Sequence, residues 1–103
     1  MTNILKNKFN EEVLLAIEKM KKEEHYTPTR FIQMLQQAGN NAHEVVQRLV
    51  IKDVSLGLEK LWEKGRLELS MEAIMTKPEY KELFSQEIIK ICEKKLKQFG
   101  YKL

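Results

Sequence analysis

Every apolar repeat in this chain falls at a spacing of three or four residues, and that periodicity constrains the fold more than any single motif. Near the start, Phe9, Val13, Ile17 and Met20 recur at i, i+4, i+8 and i+11, with Leu14 beside them. That is the stripe of one buried helix face. Glu11 and Glu12 suit the positive end of a helix dipole, and Asn7 or Asn10 is the candidate cap. The segment KKEEH at residues 21–25 either closes this helix or carries it into solvent.

Further along, Thr27-Pro28 is a helix start signal, because a proline in the first turn lacks only an N–H that would be orphaned there. Phe31, Ile32, Met34, Leu35 and Ala38 supply the apolar residues of the second helix, and Gly39 is the expected left-handed stop. Asn41 and Glu44 have capping-box spacing ahead of a third helix with Ala42, Val45, Val46, Leu49 and Val50 buried. Val54, Leu58, Leu61 and Trp62 line a fourth, which Gly65 ends. Arg66-Leu67-Glu68-Leu69 alternates like a short extended connector, with both leucines inward, and Ser70 caps a brief helix from Met71 to Met75. Thr76 and Glu79 again have capping-box spacing, before a helical turn at EYKELF. Ser85 opens the last helix, with the stripe Ile88, Ile89, Cys92, Leu96 and Phe99 and a stop at Gly100; Tyr101 folds back on the core.

Only 4 glycines and 2 prolines punctuate the 103 residues, too few for the tight turns of a sheet. The expectation is therefore all-α: one compact domain, residues 1–103, built as a bundle of five to seven short helices. Residues 1–26 form an N-terminal helix serving association and residues 27–103 the core. With 43% apolar residues such a chain can bury one modest core. No apolar run approaches the roughly 18 residues that cross a bilayer. MTNILKNKFNEEVLLAIEKM lacks the features of a secretory signal. One cysteine forms no internal disulfide, which suits a reducing cytoplasm, the expected location.

Three pieces, TPTRFIQMLQQAGNNAHEVVQRLV, GLEKLWEKGRLELSMEAIM and PEYKELFSQEIIKICEKKLKQFGY, resemble in this order a small all-helical domain that recurs in bacterial proteins of unassigned role. The resemblance covers about residues 27–101 and omits the first helix. Its most specific parts are the Thr-Pro start, the Gly-Arg-Leu-x-Leu corner and the terminal Phe-Gly-Tyr. It implies a self-contained bacterial unit and carries no catalytic or ligand-binding residue with it.

Enzyme chemistry finds little footing. The glycines at 39, 57, 65 and 100 are isolated, so no phosphate loop exists, and there is no GxSxG elbow. Cys92 falls on an apolar stripe, the ordinary place for a core thiol. His25 and His43 share no metal-ligand spacing, adjacent His43 and Glu44 point to different faces, and Glu72 is expected to be solvated. The expectation is a non-enzymatic chain with no catalytic residue, cofactor, metal or small-molecule substrate, and no membrane partner.

Two binding readings remain. The net charge of +3 concentrates at residues 90–102, where five lysines face one glutamate, while the other 13 basic and 14 acidic residues nearly cancel. Lys90, Lys94, Lys95 and Lys97, with Arg48 and Arg66 in support, are the candidate nucleic-acid contacts. The favoured reading is a protein-interaction or adaptor module that binds another protein or itself, homodimerisation included. Its candidate surface is Leu5, Phe9, Leu15, Met20 and the neighbourhood of Trp62. Met34, Met71 and Met75, near helix ends, are expected to add adaptable exposed surface.

Overall fold

The first apolar stripe lies inside a helix longer than itself. In the computed structural model, which describes residues 2–52 and 57–102, α1 runs over Thr2–Glu23. It is followed by α2 (Thr29–Gln37), α3 (Ala42–Ile51), α4 (Leu58–Glu63), a 3₁₀ turn at Leu67–Leu69, α5 (Met71–Met75), a 3₁₀ turn at Pro78–Tyr80 and α6 (Gln86–Gln98). The described residues contain no strand, so the chain is all-α. Their radius of gyration is 12.7 Å. A single close-packed unit of about a hundred residues has a radius of about 13 Å.

Phe9 is fully buried and organises the main core. Its ring meets Tyr80 edge-on at a centroid distance of 5.1 Å, and Phe84 at 5.2 Å. Val13, Ile17 and Met20 continue the stripe and share this core with Val46, Leu49 and Val50 of α3, Met75 of α5 and Cys92 of α6. A smaller cluster of Leu58, Leu67, Ala73 and Leu96, covered by Phe99 and Tyr101, fixes α4 and the C-terminal segment to α5 and α6. Truncating a fully buried phenylalanine costs about 3–5 kcal/mol, so the Phe9 contacts are a large share of any domain's net stability.

This burial corrects the interface expected on α1. Phe9 and Met20 lie in the core and face no partner, because their helical angle matches that of Val13. Met71 and Met75 are equally buried, and only Met34 is partly covered. Trp62, on the apolar line of α4 with Leu58 and Leu61 and named with the candidate surface, is half exposed at 49%; its ring lies 5.6 Å from that of Phe99 on the outer side of the smaller cluster.

Several stop and start signals work as expected. Gly39, Gly65 and Gly100 all have positive φ at helix ends. Ser70 Oγ accepts from Ala73 N at 3.1 Å and Ser85 Oγ from Ile88 N at 3.2 Å, capping α5 and α6. Leu67 and Leu69 turn inward, in a 3₁₀ turn rather than an extended connector. Glu79 is no cap, since it reaches Lys8 of α1 instead. Val54 lies outside the described residues.

Two local signals are overridden by tertiary contacts. Asn10 does not cap α1; it sits within that helix, and its Oδ1 accepts from Ala42 N, the first residue of α3, at 3.2 Å. Asn41, at the N-cap position of α3, makes no side-chain cap and places its Oδ1 2.8 Å from His43 Nδ1. Gly57, not singled out by the sequence, opens α4 at φ 77° with the Tyr26 ring pressed against it. A Cβ there would stand 2.3 Å from the Tyr26 hydroxyl oxygen. A side chain at Gly57 would be both strained and obstructed.

Because Asn10 caps α3 from another helix, Asn10→Ala is expected to destabilise the fold by about 1 kcal/mol. Asn41→Ala should cost markedly less, as read by urea denaturation of both variants. Equal costs would assign the cap to Asn41 instead.

Candidate functional site

Since helix periodicity buries one face of α1, the opposite face is where recognition can occur. That outward face carries Ile4 at 71% exposure and Leu15 at 56%, two large apolar side chains left in water. Leu15 stands at the edge of an open groove of about 690 Å³ between α1, the Leu67–Leu69 turn, α5 and the C-terminal segment. The buried Leu69, Ala73 and Ile74, the partly buried Tyr101 and the exposed Lys19 and Lys102 line it. Leu5 is partly covered. Sequence patterning marked Leu15 but missed Ile4 and the groove, whose other wall comes from residues more than fifty positions away.

One rim of the groove is a fixed ionic clamp. Tyr80 donates to Glu12 Oε1 at 2.6 Å, Lys77 pairs with the other oxygen, and Lys8 pairs with Glu79 at 2.5 Å. Burial pushes the Glu12 carboxyl upward, but hydrogen bonds from Lys77 and Tyr80 outweigh it and hold the group below its ordinary range. Burial, joined by the Glu12 carboxylate, holds the Tyr80 hydroxyl above its usual range. A carboxylate so engaged is a poor general base, and a phenol so held is a poor acid. The clamp fastens α1 to the Pro78–Tyr80 turn.

Arg66 is likewise committed. Its Nε donates to Glu68 at 2.7 Å, and its Nη1 meets Glu23 at 2.9 Å and Glu24 at 2.7 Å. Glu68, then Glu23 and Glu24, raise its pKa still further. The guanidinium ties the end of α1 to the corner after α4, which leaves it engaged with carboxylates rather than presented to phosphates.

The lysines divide. Lys90, Lys94 and Lys97 are exposed along α6, opposite Ile88, Cys92 and Leu96, and make no ion pair among the described residues. Lys95 departs from this stripe: its ammonium nitrogen is buried and acts electrostatically on Glu72. Arg48 is exposed on α3 beside Ile51, itself 67% exposed. His43 is buried at the start of α3, and burial first, then Lys6, lowers its pKa.

Glu72 is the largest departure from expectation. On α5 it is fully buried, and neither carboxyl oxygen has a hydrogen-bond partner among the described residues. Burial raises its pKa, opposed by its own backbone N–H and by Lys95. Burial, with Glu72 adding to it, also pushes the Cys92 thiol up to about 12. A thiol so protonated at neutral pH and closed to solvent is a core thiol, not a nucleophile. Nothing in a five-residue apolar helix, MEAIM, announced a buried carboxyl: only the packing of α5 between α1 and α6 encloses it. Among the described residues no cluster of three or more His, Cys, Asp or Glu side chains is placed to hold a metal ion. No helix among them is long and apolar enough to cross a membrane.

No family model matches the chain, and no curated protein or solved structure matches it either.

A carboxyl whose folded pKa is raised stabilises the protein below its unfolded pKa, and that contribution is lost as pH rises through the folded value. Glu72→Met combined with Lys95→Met removes both buried charges and strands neither, so the double variant is expected to raise stability by about 1–3 kcal/mol near pH 8. The gain should shrink toward pH 4. Thermal melts across that range check it, and a gain that grew on acidification would show Glu72 to be stabilised as the carboxylate.

Proposed function

We propose that this chain is a non-enzymatic protein-interaction or adaptor module of a bacterial cytoplasmic system, docking a protein through α1 and the groove beside it. The observation that carries this reading is the pair of exposed apolar side chains, Ile4 and Leu15, on the outward face of a helix whose other face is fully used by the core. Large apolar groups concentrated on one exposed helix face characterise association surfaces. The groove offers the mixed apolar and charged lining of a peptide- or helix-binding site. The single cysteine, buried and free, accords with a reducing compartment. The recurrent bacterial helical domain that residues 27–101 resemble is part of the same proposal; α1, the docking element, lies outside it.

A second reading, nucleic-acid binding, draws on the three exposed lysines of α6. It is the weaker one. Lys95 and Arg66, two of its six expected contacts, are engaged with carboxylates inside the protein. Lysine at a helix C-terminus also complements the dipole without any ligand.

Immobilised protein should retain one defined protein from its native lysate, identified by mass spectrometry, and lose it with Leu15→Lys, whose exposed position leaves the fold intact by circular dichroism. Retention unchanged by Leu15→Lys would remove the groove edge from the docking surface. Fluorescence anisotropy with generic DNA and RNA is expected to show no binding at low salt. Binding that weakens steeply with salt and is lost with Lys90→Glu plus Lys94→Glu would replace this reading by the second.

A further inference from the structure

We infer that the occupant of the outward α1 face is α1 of a second copy, in an antiparallel two-fold dimer. This deepens the association reading and rests on it. The face is made by Ile4, Lys8, Glu11 and Leu15, at successive spacings of four, three and four residues. At about 3.6 residues per turn, those four side chains project within roughly 60° of one another. All four are exposed.

The pattern is its own complement. Reversed in direction it keeps its spacing, exchanges one apolar end for the other, and exchanges lysine for glutamate. A two-fold axis crossing α1 between Phe9 and Asn10 therefore sets Ile4 beside Leu15 of the second copy, and Lys8 beside Glu11 of the second copy, each contact made twice. Sliding the copies by about one turn destroys the match, setting Lys8 on Lys8 in one direction and Glu11 on Glu11 in the other. The charges thus select one register and one orientation. Glu11 makes no ion pair among the described residues, and Lys8 would bridge Glu79 of its own chain and Glu11 of the second copy.

The shared length, eleven residues at about 1.5 Å each, is roughly 17 Å. So short an overlap belongs with small, weak interfaces, and the dimer is expected at about 100 µM rather than at nanomolar concentration.

Sedimentation equilibrium on the full chain, from about 10 µM to about 1 mM, spans that range. The mass is expected to rise from 12.2 kDa toward twice that value. Lys8→Glu alone and Glu11→Lys alone each set like charges together and should weaken association at least tenfold. An equimolar mixture of those two variants should pair as a heterodimer, and the double variant Lys8→Glu/Glu11→Lys should associate with itself again. All substitutions are at exposed positions, with folding checked by circular dichroism. A chain that stays at 12.2 kDa throughout overturns the dimer. If it nonetheless retains a protein in a Leu15-dependent way, the docking reading survives without this pairing. A dimer indifferent to the single variants, or not restored in the mixture, keeps self-association and overturns this register.

Discussion

The edge-on contact of Phe9 with Tyr80 and Phe84 joins the longest helix of the chain to a segment seventy residues away, and the remaining elements pack around that junction. Helices of five or six residues, such as α5 and α4, do not persist alone in water, because each must repay the cost of its first turn through tertiary contacts. α5 finds those contacts mainly against α6 and the Leu67–Leu69 turn and α4 against the same turn, while the inward stripe of α1 joins α3, α5 and that turn. The polar fastenings follow the same logic. Asn10 caps α3, Glu12 receives Tyr80 and Lys77, and Glu23 and Glu24 hold Arg66, so α1 is tied to the rest of the chain at three levels along its length.

A helix fully used by the core on one side leaves its other side uncovered. Inward positions near Phe9 and Val13 cannot serve a partner, whereas Ile4 and Leu15, about half a turn away, have nothing to cover them in the monomer. Several ionisable groups are tied into structural contacts. Glu12, Tyr80 and Arg66 are engaged in fixed pairs, and the Cys92 thiol is held protonated. Glu72, enclosed on α5, is a site of internal stress that the Lys95 ammonium only partly relieves.

Much of the fold was legible because its signals are local. Gly65 and Gly100 end helices since glycine adopts positive φ cheaply, and Ser70 and Ser85 begin them since a hydroxyl reaches a free amide two or three residues on. The failures share one cause. Trp62 and Met71 look alike in an apolar pattern, yet one lies at the margin of the small cluster and the other in the middle of the core. Asn10 and Asn41 look like caps for their own helices, but cap choice was made by which backbone end came within reach.

The sequence by itself determined that this chain is all helical, where most helices start and stop, and which face of each is apolar. Those properties depend on side chains within a few positions of one another. Tertiary structure alone decided that Glu72 and the Lys95 ammonium are buried, that Arg66 is consumed by Glu23, Glu24 and Glu68, and that a groove opens beside Leu15. Each of these depends on segments far apart in the chain meeting in one place, and periodicity within a helix carries no record of what is brought against it.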